Sequence, residues 1–243
     1  KLKKELITQR DPKSPVSEVF RTLRTNIQFM STNKKLKTLL ITSTFPSEGK
    51  SWVASNLAVT FAQAGKRVLL VDADMRKGRQ HQVFSVDNKL GLSNCLNELE
   101  ENNYKILEKY IRETKIPKVH IITIGAVPPN PSELLLSSKM EQLIKMLKNI
   151  YDIVIIDGTP CNLVSDSIPV SSIVDETIIV TESKKTKIED LKHIVKLIKN
   201  ANGNIIGAKN KLFRRIFKKY VEYYKNTNKF RLMHIKIFQG THY

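Results

Sequence analysis

Gly49-Lys50-Ser51 stands where a short apolar run, residues 37–43, gives way to a helical pattern running from Lys50 to about Ala64. A loop between strand and helix can curl its N–H groups round phosphate oxygens, and the helix adds the positive end of its dipole. A lysine at that place reaches the outer phosphates, and the hydroxyl after it can hold Mg²⁺. Pro46, Ser47, Glu48, Gly49, Lys50, Ser51 and Trp52 are therefore candidate nucleotide contacts. Asp72 and Asp74 follow the next apolar run, residues 67–71, and Asp157 follows residues 152–156. In an open parallel sheet, ligands bind at the carboxyl ends of the strands. Acids placed there suit Mg²⁺ coordination in a P-loop NTPase. A lone strand-end aspartate is often only a helix cap; three beside a Gly-Lys-Ser loop seldom are. Lys50, Asp72, Asp74 and Asp157 form the candidate catalytic set, with ATP and Mg²⁺ expected.

These groups need a scaffold, and the chain is long enough to supply one. Its 243 residues are 41% hydrophobic and 26% charged, an ordinary globular composition that excludes wholesale disorder. No apolar run approaches the roughly 18 residues of a membrane span. Lys1-Leu2-Lys3-Lys4 is not followed by an apolar signal region, so a cytoplasmic setting is expected. Only Cys95 and Cys161 occur, without CxxC spacing, which argues against a disulfide scaffold and a zinc site. Strand-like runs at 37–43, 67–71, 119–123, 152–156 and 177–181 alternate with helical patterns. The helices expected are one capped at Ser17, one over residues 98–114, one capped at Ser132, and one over 188–200. That alternation implies an α/β fold of the P-loop NTPase class, with a mostly parallel sheet and helices on both faces. The division expected is an N-terminal helical extension over 1–35, a P-loop domain over 36–208, and a basic tyrosine-containing tail over 209–243.

With these motifs in this order, the sequence resembles the bacterial tyrosine kinases, cytoplasmic partners of capsule and exopolysaccharide export systems. The resemblance runs from about Pro15 to Asn200. It rests on Pro46 four residues before Lys50, on Val68-Leu69-Leu70-Val71-Asp72-Ala73-Asp74-Met75-Arg76-Lys77, on Ile153-Val154-Ile155-Ile156-Asp157, and on residues 127–134, VPPNPSEL. It implies an ATP-dependent protein-tyrosine autokinase that regulates polysaccharide assembly. Ser51, Asp72 and Asp74 become the metal candidates, and Asp157 orients the metal shell. Glu18, Arg21 and Arg24 match a Glu-x-x-Arg-x-x-Arg motif that bridges subunits of a ring in the family. Read without the family, they are a solvated helix face with weak intrahelical pairs. The resemblance also implies a transmembrane activator, the chain-length regulator of the export system, and a location at the inner face of the plasma membrane.

Several positions depart from the family pattern. Ser47 stands where glycine is usual and φ > 0 would come more easily. Trp52 replaces a small hydroxyl residue, Gly78 a frequent proline, and Gly158-Thr159-Pro160-Cys161 varies an Asp-Thr-Pro-Pro run. Asp166 keeps its expected place.

The tail departs most. The net charge is +18, and the last 35 residues carry ten Lys/Arg against one acid, half of that charge. Asn210 is a weak adenine-site candidate, and Tyr220, Tyr223 and Tyr224 are candidate phosphoacceptors. Phe213, Ile216, Phe217, Tyr220, Val221 and Tyr224 recur at helical spacing among basic residues, a pattern suited to an anionic membrane surface or a partner. Nucleic acid is not an expected partner. Two other functions compete: a partition or division-site ATPase, against which Phe45 stands where those proteins carry a lysine, and a degenerate nucleotide-binding scaffold.

Overall fold

A computed structural model describes residues 5–30, 36–162, 166–182 and 185–206, together with the backbone of 233–234. Strands β1 (Thr38–Ser43), β2 (Val68–Asp72), β3 (Arg112–Glu113), β4 (Val119–Ile122), β5 (Ile153–Pro160), β6 (Glu176–Glu182) and β7 (Met233–His234) form one sheet. Their order is β3-β4-β2-β5-β1-β6-β7. The five central strands run parallel, and the two-residue edge strands β3 and β7 run antiparallel.

Both faces are covered, so the central strands are buried on both sides, and alternate residues enter different cores. Leu39, Ile41, Val68, Leu70, Ile153 and Ile155 pack against helices α1 (Ile7–Arg10), α2 (Pro15–Met30) and α3 (Lys50–Gln63). Leu40, Leu69, Val71, Val154 and Ile156 face the other way, toward α5 (Leu92–Glu98) and α7 (Ser138–Ile150). Helix α8 (Ser167–Ile173) adds Val170 to that second core, and α9 (Ile188–Asn200) closes the β6 side through Leu191, Ile194 and Ile198. Burial of both cysteines pushes their thiols up, Cys95 to about 12 and Cys161 to about 11, so neither is poised to react.

Four local expectations are corrected. Helix α2 starts at Pro15 rather than Ser17. Ser14 accepts the Ser17 N–H at 3.2 Å, and proline at the first helical position has no N–H to satisfy. The stretch 98–114, expected as one helix, instead starts at the last residue of α5, Glu98, and goes on to a 3₁₀ turn at Tyr104–Lys109 and to β3. Tertiary contact sets where α5 begins, because Leu92 and Ser93 donate their N–H groups to the Thr123 and Ile124 carbonyls at the end of β4. A Cβ on Gly91 would lie 2.2 Å from the Thr123 carbonyl oxygen, so only glycine allows this approach. The helix expected from Ser132 starts at Pro131, as α6 (Pro131–Leu136), and breaks at Ser137, whose backbone is extended. That break lets α6 pack on α8 while α7 lays Met140, Leu143, Ile144 and Leu147 on the sheet. Finally, β5 continues through Asp157 to Pro160, so Asp157 lies within the strand.

Candidate functional site

The phosphate loop joins β1 to α3 at the carboxyl edge of the sheet. Ser47 has φ +65° and Gly49 φ +90°, the left-handed turns by which the loop folds back on itself. The Glu48 side chain holds that shape. Its Oε2 accepts the Phe45 N–H at 2.7 Å, while Oε1 accepts the Glu182 N–H at 3.2 Å and the Thr186 hydroxyl, pinning the loop to the end of β6. Asn162 donates its N–H to the Thr44 carbonyl at 3.0 Å and so fastens the loop to the continuation of β5.

Lys50 heads α3 and is almost wholly buried. Its Nζ lies 2.8 Å from Asp74 Oδ2, 3.3 Å from Asp157 Oδ1 and 3.2 Å from Ser51 Oγ. Burial alone would lower its pKa, but the Asp157 and Asp74 carboxylates outweigh that and hold the ammonium up to about 12. Asp72 and Asp157 are register partners on adjacent strands, and both are fully buried. Burial first, and the Asp157 charge second, raise the Asp72 pKa well above the carboxylate range.

Sequence reasoning missed Gln80, the first residue of α4 (Gln80–Phe84). It is fully buried; its N–H donates to Asp72 Oδ2 at 2.9 Å, and its Nε2 donates to Asp157 Oδ2 at 2.8 Å and to the Ser51 carbonyl at 2.9 Å. No local pattern marks a glutamine for this task. Gly78 departs from the family pattern for a reason the structure shows. A Cβ there would lie 2.7 and 2.8 Å from the two Asp72 carboxylate oxygens and 2.3 Å from Ile124 Cγ2.

The donor set fits a hydrated Mg²⁺. Asp72 Oδ1 is buried without a hydrogen-bond partner, and Asp74 and Ser51 lie beside Lys50 at the mouth of the loop. Among the described residues no three His, Cys, Asp or Glu side chains form a cage. Mg²⁺ needs none, since it is ordinarily held by one or two carboxylates, waters and substrate phosphates.

The comparisons agree with this geometry. The AAA domain family matches residues 46–212. The putative tyrosine-protein kinase CapB of Staphylococcus aureus is 40% identical over 197 residues, covering 81% of this chain and 84% of that protein. The chain belongs to the bacterial tyrosine kinases. The tyrosine-protein kinase YwqD of Bacillus subtilis (strain 168) is 37% identical over 208 residues, 86% of each chain. The solved kinase domain of the Escherichia coli tyrosine kinase ETK matches with a TM-score of 0.77 at 34% identity, covering 82% of this chain and 76% of that one.

In this bacterial tyrosine kinase the remaining candidates fall into four groups. The Trp52 indole packs edge-to-face on Phe20 of α2, ring centroids 5.1 Å apart, and so braces α2 against α3. On α2, Glu18 and Arg21 pair with each other at the surface, and Arg21 also reaches the Pro12 carbonyl. Arg24 instead donates to the Thr60 carbonyl at 3.0 Å, so the expected single exposed face is shared between solvent and α3. Asp166 is buried and accepts Arg76 Nε at 3.1 Å and the Ser132 hydroxyl, which explains why Ser132 is no helix cap. Asn210, Tyr220, Tyr223 and Tyr224 lie outside the described residues.

Proposed function

We propose that the protein transfers the γ-phosphoryl group of ATP to tyrosine hydroxyls, including its own, within a capsule or exopolysaccharide system. One observation carries the reading: a buried lysine at the head of a phosphate loop, held 2.8 Å from Asp74 and 3.3 Å from Asp157, on a chain of this family. The partition-ATPase alternative lacks its lysine, because Phe45 stands there.

Each residue has a physical task. The loop N–H groups from Ser47 to Ser51 surround the phosphates and fix their orientation. Lys50 brings its charge to the oxygens where negative charge grows in the transition state. Mg²⁺, when bound, neutralises charge on the phosphates, with Ser51, Asp74 and Asp72 as its holders. Asp72 takes the tyrosine proton or holds a metal-bound water through its unpartnered Oδ1, and Asp157 orients Lys50 and the metal shell. The acceptors proposed are Tyr220, Tyr223 and Tyr224 in the basic tail.

No helix among the described residues is long and apolar enough to cross a membrane. The proposed partners are a transmembrane chain-length regulator that activates the kinase, and further copies of the chain in a ring contacted through Glu18, Arg21 and Arg24. The proposed location is the inner face of the plasma membrane, aided by the basic tail against anionic lipid.

The test is incubation with Mg²⁺ and labelled ATP, with and without the activator's cytoplasmic segment, followed by phosphosite mapping. Phosphotyrosine that disappears in Lys50→Met is the expected result. Free phosphate without phosphotyrosine would point to an ATPase, and bound nucleotide with neither product would point to a scaffold.

A further inference from the structure

We propose that Gln80 is a positioning residue that makes Lys50 releasable, by keeping Asp157 hydrogen-bonded when the lysine turns to a phosphate. The inference rests on the nucleotide-site reading above and adds a residue to it. Lys50 can meet a phosphate only by giving up some of its contact with Asp74 and Asp157. Asp74 is the more exposed of the two and lies at the site's mouth, whereas Asp157 is fully buried beside fully buried Asp72. A buried carboxylate that loses its only partner is costly, so Lys50 would be held back if it were that only partner.

Gln80 prevents that. Its amide Nε2 donates to Asp157 Oδ2, the oxygen that Lys50 does not use, and its backbone N–H donates to Asp72 Oδ2. The amide cannot be turned over, because Nε2 also faces the Ser51 carbonyl at 2.9 Å, and an oxygen there would meet two acceptors. The Ser51 contact also ties Gln80 to the first turn of α3, next to Lys50. A second observation explains how Gln80 reaches this place: the chain between Asp74 and α4 folds directly over Asp72 at Gly78, where no Cβ fits.

The backbone bond to Asp72 survives any substitution except proline, so the side-chain amide can be tested alone. Gln80→Met keeps the length of the side chain and removes the donor. The measurement is equilibrium binding of a fluorescently labelled ADP, with adenosine binding followed by ligand-observed NMR and thermal melting recorded alongside. Adenosine has no phosphate to draw Lys50 away. The expected result is that ADP binds Gln80→Met about 10- to 100-fold more weakly, the range for a lost hydrogen bond to a charged group, while adenosine binds both proteins alike. Gln80→Asn, whose amide stops one methylene short, should show the same selective loss and serves if the methionine variant does not fold. Equal weakening of ADP and adenosine would make Gln80 merely structural and overturn the proposal. So would unchanged ADP binding. If the unaltered protein binds no ADP at all, the nucleotide-site reading falls, and this inference with it.

Discussion

Asp72 and Asp157 sit opposite each other on β2 and β5, both sealed from solvent, with Lys50 bonded to one and Gln80 to both. Burying two carboxyl groups in register opposes folding, and this pair marks a place where stability is given up for chemistry.

That relationship has a consequence for pH. The folded state raises the Asp72 pKa, so between the unfolded value of about 3.9 and the higher folded value the native protein binds more protons. Stability contributed by this group is therefore complete below the unfolded pKa and is lost as pH rises through the folded one. Asp72→Asn, which can still accept the Gln80 N–H, should raise the melting temperature at pH 7 and change it little at pH 4, while phosphotyrosine formation falls. An equal shift at both pH values would show that the carboxylate charge is not the cause.

Lys50→Met should remove phosphoryl transfer, by at least about 100-fold as for loss of a transition-state charge partner. It should also lower the melting temperature of the nucleotide-free protein, because Asp157 and Asp74 lose their buried cation. A variant that stays active in the label-transfer assay would remove Lys50 from the mechanism.

At Ser47, φ of +65° is left-handed backbone that costs an L-residue roughly 1–2 kcal/mol. Ser47→Gly should be neutral or stabilising by about 0.5 kcal/mol, part of the relief being offset by the greater freedom of glycine in the unfolded chain. Ser47→Val should destabilise by about 1–2 kcal/mol and weaken nucleotide binding. Chemical denaturation of the two variants separates strain from side-chain chemistry.

Gly78→Ala would place a methyl group against both Asp72 oxygens and Ile124. Overpacking of this kind typically costs about 1–3 kcal/mol, and here it would displace the loop that carries Gln80. The expected outcome is a lower melting point together with weaker ADP binding. Wild-type values of both would mean that the loop has room the structure does not give it.

Replacing Glu18, Arg21 and Arg24 with alanine tests the ring contact. Light scattering should report a smaller mass with nucleotide binding intact, and a single Arg24→Ala should also loosen α2, since Arg24 bonds the Thr60 carbonyl of α3. Unchanged mass in the triple variant would remove these residues from the subunit contact.

Much of this protein could be read directly from its sequence. Gly49-Lys50-Ser51 after a β-branched run, and aspartates directly after apolar runs, are local patterns, and the alternation of runs with amphipathic stretches predicts strands and helices without knowing their neighbours. Helix α9 falls on residues 188–200 as its periodicity predicts, because its apolar face, with Leu191, Ile194 and Ile198 buried, is continuous.

Tertiary structure decided what depends on which strand lies next to which. With β4, β2, β5 and β1 adjacent in that order, Asp72 meets Asp157, the start of α5 is fixed by carbonyls of β4, and Gly78 must lie flat on a carboxylate. Gln80, Arg24 and Ser132 find their partners 77, 36 and 34 positions away in the chain, and no spacing rule reaches that far. A strand's residues dictate that it will be buried; the packing of the whole sheet chooses its neighbours, and with them the partners of every polar group at its edge.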